Sequence, residues 1–173
     1  MSKYIYILFF LLISGCSNIP PESPKVESFG IAGIKIGQYY NTSSLLRDDS
    51  QENSFYLNDY KVVYPFKEYR IYVSPVTNKV YSIAISSFNE NDYILRQEYI
   101  NIKNILINKY GHNNLFNRET ENFKFSNFSN INHKNFKISL SYMKLKNGLN
   151  SLSLIYLSED LQQKMSEDRI NNF

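Results

Sequence analysis

Residues 69–86 read YRIYVSPVTNKVYSIAIS, and their alternation decides the fold. Tyr69, Ile71 and Val73 alternate with Arg70, Tyr72 and Ser74; Tyr81, Ile83 and Ile85 alternate with Ser82 and Ala84. A period of two is the signature of a strand with one buried face, and Pro75-Val76-Thr77-Asn78 between the runs supplies turn residues. The segment is a β-hairpin. Matching the apolar faces pairs Val73 with Tyr81, Ile71 with Ile83 and Tyr69 with Ile85, because a slip of one residue would turn one apolar set to the other face.

Downstream the period changes to that of a helix. Leu95, Tyr99, Ile102, Leu106 and Tyr110 form a stripe, widened by Ile105, while Arg96, Glu98, Asn101, Lys103 and Asn108 keep to the other side. Asn91 or Asp92 caps the start, and Gly111 takes the left-handed position past the end. Residues 112–135 carry asparagine at eight positions and predict a short strand around Phe123 and Phe125 within an irregular loop. A second hairpin follows, with Phe136, Ile138, Leu140 and Tyr142 on one strand and Leu152, Leu154 and Tyr156 on the other. A two-residue Asn147-Gly148 turn would set the two apolar faces on opposite sides. A three-residue loop, Lys146 to Gly148 with Gly148 left-handed, pairs Leu140 with Leu154 and aligns them. Ser158 then caps a short C-terminal helix carrying Leu161 and Met165.

Upstream, Phe29–Ile36 reads as one glycine-punctuated strand, Asn41 to Ser43 open a helical turn through Leu45 and Leu46, and 54–63 holds one or two further strands. The expected fold is α+β: an antiparallel sheet of two or more hairpins with one main amphipathic helix on one face and a short C-terminal helix.

The chain opens MSKYIYILFFLLISGC. Lys3 precedes an apolar run of 10 residues, Tyr4 to Ile13, which is short for a bilayer span and suits a signal sequence. Ile13-Ser14-Gly15-Cys16 resembles the lipobox of bacterial lipoproteins. That resemblance implies cleavage before Cys16, diacylglycerol on its sulfur and acylation of the new amino terminus. It also implies attachment to the cell envelope, with Ser17 pointing to the periplasmic face of the outer membrane. Cys16 is the single cysteine. Residues 16–28 hold three of the five prolines and read as a tether reaching ~30 Å in polyproline form. The expected division is therefore 1–15 signal, 16–28 tether and 29–173 one domain.

A second resemblance spans roughly 80 residues. GIKIGQ at 33–38, the 69–86 hairpin and INKYG at 107–111 are similar to a loose group of small envelope or prophage-borne proteins of Gram-negative bacteria. It implies a shared turn and helix stop, and no activity.

Composition narrows the chemistry. Hydrophobic residues make up 43% and charged residues 20%, enough apolar surface for a core. The net charge of +3 becomes +2 without Lys3, too weak a balance to expect nucleic acid. His112 and His133 have no metal-spaced partner and read as loop residues; no metal or cofactor is expected. Asp48-Asp49 and Glu159-Asp160 read as solvated turn and cap pairs, since adjacent side chains diverge. No catalytic constellation emerges. The 15 tyrosines, against no tryptophan, give the other lead: Tyr39, Tyr40 and Tyr72 are candidate protein-binding residues. The expected role is a non-enzymatic, protein-binding lipoprotein of the envelope, an accessory or an immunity-type protein. An enzyme acting on the wall and a purely structural lipoprotein are the alternatives.

Overall fold

The computed structural model describes residues 29–131 and 134–170; the expected signal, Cys16, the tether and His133 lie outside the described residues. Ten strands and two helices follow in order. They are β1 (Gly30–Ile31), β2 (Ile34–Lys35), β3 (Leu46–Arg47), β4 (Ser54–Tyr56), β5 (Glu68–Val73), β6 (Val80–Asn89), α1 (Asp92–Tyr110), β7 (Leu115–Glu119), β8 (Phe123–Phe128), β9 (Phe136–Lys144), β10 (Asn150–Ser158) and α2 (Glu159–Ile170). Strands β1 and β2 pair with each other. The other eight form one antiparallel sheet in the order β3-β4-β5-β6-β10-β9-β8-β7. The expected α+β architecture is present.

The two hairpins meet at the sheet centre, where Leu154 faces Ile85 on one side and Leu140 on the other. Strand alternation sends these residues, with Ile71, Ile83, Ile138, Tyr142 and Leu152, to one face, and all are buried. Helix α1 packs across β6, β9 and β10 on that face, burying Leu95, Tyr99 and Leu106. The Asn91 side chain accepts hydrogen bonds from the Tyr93 and Ile94 amides at its start, as a cap should. The hairpin turn of 145–149 is the three-residue loop: Leu145 N donates to Leu149 O at 2.8 Å and Gly148 has φ 83°.

Several expectations are corrected. Tyr69–Ile85 and Ile71–Ile83 pair as expected, but Val73 faces Val80, not Tyr81. A bulge between the strands inserts Tyr81 as an extra residue, and its ring lies 6.1 Å from that of Tyr72, apart from the main core. Residues 29–36 form a tight hairpin, not one strand, because Ala32 and Gly33 both take positive φ (59° and 85°) and reverse the chain. Gly30 is needed there: a Cβ would stand 2.0 Å from the Ile34 carbonyl oxygen. Asn41–Leu45 is a turn, with Leu45 N bonded to Thr42 O at 3.1 Å, and Leu46 enters β3 instead of a helix. Residues 115–128 are a further hairpin, β7–β8, where a loop with one short strand was expected. Ile105 does not widen the buried stripe, being 63% exposed. Gly111 takes the expected positive φ past the helix end, 79°, but its ψ of 173° lies outside the left-handed helical range.

Candidate docking surface

The buried face of the sheet is covered by α1 over β6, β9 and β10, and by Phe29 on Tyr156 and Tyr60 on Tyr69 beside it; the opposite face shows a different chemistry. On β10, buried residues alternate with Ser151, Ser153 and Ile155, and on β9 with Ser139, Ser141 and Met143. Ile155 is 37% exposed on a central strand whose inward neighbours, Leu154 and Tyr156, are buried. Phe88 and Met143 lie on the same side, each cross-strand from Ser151. Phe123 pairs with Met143 and continues the row onto β8. Phe125 stacks on Phe123 at 6.1 Å, and Phe116 meets Phe125 edge-on at 6.5 Å. Lys137 is the single charge among the outward positions of β6, β9 and β10, and its ammonium is 2.5 Å from the Glu159 carboxylate. An open face of serines rimmed by phenylalanines, methionine and isoleucine asks little desolvation of a partner, and charge depletion marks the centre of protein interfaces.

The tyrosines expected to bind are divided. Tyr39, 67% exposed, and half-buried Tyr40 border one open cleft of about 460 Å³ with Asn41, Leu45 and Asp59. Backbone bonds hold them there: Tyr39 bridges Lys79, and Tyr40 N donates to Asn78 O at 2.8 Å. Tyr72 does not join them. It lies on the open sheet face, half-buried beside Tyr81, with its hydroxyl bonded to Gln51. The aromatic row on β8 was missed in the sequence because β8 was read only as a short strand in a loop. Its signal was the alternation of Phe123 and Phe125 with Lys124 and Ser126.

The titratable groups that are shifted serve packing. Asp92, on the first turn of α1, receives the Tyr142 hydroxyl and the Arg96 guanidinium at 2.8 Å, which together hold its carboxyl below the usual range. Burial raises the Tyr142 hydroxyl. Arg96 also lies over the Tyr142 ring and donates to the Glu121 carbonyl at 2.8 Å, joining α1 to β9 and the β7–β8 turn. Asp48 corrects the expectation of a solvated turn pair: it is buried, its carboxyl lowered by the Ser50 hydroxyl at 2.6 Å and by Arg70 at 2.9 Å. Glu119 is lowered by Lys103 and Lys124. His112 is exposed past α1. Among the described residues no three His, Cys, Asp or Glu side chains are grouped to hold a metal ion, and no helix is long and apolar enough to cross a membrane. No protein-family model, curated protein or solved structure matches this chain.

Proposed function

We propose that this chain is a lipid-anchored envelope protein whose domain binds another protein without catalysing a reaction, docking it on the open face of the sheet. The observation that carries the reading is the charge-poor centre of that face: Ile155, Met143, Phe88 and Phe123 are presented over serines on the side of the sheet opposite α1, with Lys137 paired to Glu159 and with Glu68 and Arg70 on β5 and Arg118 on β7 toward its margins. The lipobox-like Ile13-Ser14-Gly15-Cys16 supports an anchor at the outer membrane, and the proline-bearing tether supports a domain held clear of the lipid. Tyr39, at the mouth of its cleft, is a second contact of the same kind.

The test is chemical cross-linking in intact cells, followed by purification of this chain and identification of what is joined to it. Ile155→Lys places a charge at the centre of the face while leaving the buried side of β10 untouched. The expected result is a protein captured by the natural chain and lost, by at least about tenfold, with Ile155→Lys. A captured protein unaffected by Ile155→Lys would overturn the docking face. Binding of cell-wall fragments with no captured protein would favour an enzyme or structural role.

A further inference from the structure

The two edges of the eight-stranded sheet differ. At one, β3 is two residues long. At the other, β7 runs five residues in unbroken register with β8 and contains no proline or glycine. Exposed edges are commonly blunted by shortness, proline, bulges or charged side chains, lysine above all. Strand β7 has none of the first three and no lysine; its two charged residues are Arg118 and Glu119, and the second is neutralised by Lys103 and Lys124.

The register fixes which backbone groups of β7 point outward. Ser129 N donates to Asn114 O at 3.2 Å and Thr120 N to Phe123 O at 2.7 Å. Bonded and non-bonded positions alternate along an antiparallel pair. Phe116 and Arg118 therefore direct their N–H and C=O groups to β8, and Leu115, Asn117 and Glu119 direct theirs away from the sheet. The Leu115 N–H is taken by the His112 carbonyl at 3.1 Å. What remains is self-complementary. Two β7 strands crossing antiparallel at Asn117 let each Asn117 N–H reach the other's Asn117 carbonyl, and each Glu119 N–H reach the other's Leu115 carbonyl.

The side chains agree with that register. Phe116 and Arg118 share the open face and stand directly opposite each other's copies, an aromatic ring facing a guanidinium. Glu119 brings no bare charge, since Lys103 at 2.8 Å and Lys124 at 3.1 Å already hold its carboxylate. We propose that β7 is a dimerisation edge: two copies of this chain join β7 to β7 about a two-fold axis through Asn117, continuing their sheets into one.

The test uses the full chain carrying Cys16→Ser, so that an introduced cysteine is its single thiol. Asn117→Cys puts two thiols across the axis, with Cα atoms about 5.5 Å apart, inside disulfide range. Mild oxidation at micromolar concentration is expected to link it into a dimer, while Leu46→Cys on the opposite edge stays monomeric. Sedimentation of the Cys16→Ser parent is expected to show dimer rising with concentration. Asn117→Pro removes an outward N–H without touching the β7–β8 ladder, and is expected to weaken the dimer at least about tenfold. Should Asn117→Pro fail to keep its circular dichroism spectrum, the cysteine yields decide. A parent that is monomeric up to hundreds of micromolar, or equal linkage at 117 and 46, would overturn the proposal. Neither arm uses the lipid or the open-face partner, so its failure is separable from that of the functional reading.

Discussion

Tyr142 shows how one hydroxyl joins two elements. Its ring is fully buried in β9, and its hydroxyl reaches the Asp92 carboxylate at the start of α1. That hydrogen bond, with Arg96, lowers the folded-state pKa of Asp92 below its unfolded value. The stabilisation is therefore complete above the unfolded carboxylate value, near pH 4, and is lost as pH falls through the folded one. Tyr142→Phe is expected to cost about 1–2 kcal/mol at pH 7, toward the low end of the roughly 1.5–3 kcal/mol of a hydrogen bond to a charged group because the Asp92 side chain is 37% exposed. Urea unfolding at pH 7 and at pH 3 checks it: the deficit of the variant should shrink at the lower pH. An equal deficit at both would place the role of the hydroxyl in its bond to the Asn150 side-chain oxygen, 3.1 Å away, and not in the one to Asp92. At this scale the sequence was legible where parity decides the outcome. Only a three-residue loop sets Leu140 and Leu154 on one face, so Gly148 had to be left-handed. It was illegible at Tyr81, because a bulge breaks alternation without a marker in the alternating residues themselves.

Elements were readable in proportion to how much they bury. Helix α1 has a stripe that a 3.6-residue period reveals, and its three buried residues all belong to it. Ile105 looked equivalent, but the helix lies over β6, β9 and β10 with that side turned to water. Which flank of a stripe is covered depends on the sheet beneath, which local periodicity does not contain. Leu106→Ala is thus expected to cost roughly 2–5 kcal/mol as a cavity opens, and Ile105→Glu less than about 0.5 kcal/mol. Chemical denaturation of both separates the flanks; equal losses would contradict the packing. Strand β7 was read as loop because Leu-Phe-Asn-Arg-Glu buries almost nothing. An edge strand is held by the backbone of its neighbour, so its side chains need not carry an apolar alternation. Edge strand β3, two exposed residues, was missed for the same reason, whereas β1 and β2 were merged because the reversal at Ala32 and Gly33 leaves the apolar alternation intact.

At the scale of the molecule, the fold class followed from two hairpins separated by a helix, and antiparallel pairing of β6 with β10 unites them. The candidate surface was less legible. Tyrosine counting found Tyr39, which is exposed, and Tyr72, which lies on the open face but is half-buried. The face emerges only when serines on β9 and β10 stand beside phenylalanines on β6 and β8, and that adjacency is set by strand order. What the face meets depends on where the molecule is held, so the anchor at Cys16 is the claim beneath the functional reading. Two or more acyl chains at ~0.8 kcal/mol per buried methylene would hold the chain at a membrane without any spanning helix. Mass spectrometry of the chain purified from membranes tests this directly. The expected N-terminal peptide begins at Cys16 and carries the added mass of diacylglycerol and an amide-linked fatty acid. A terminus that retains the leader, or a Cys16 bearing no lipid, would contradict it.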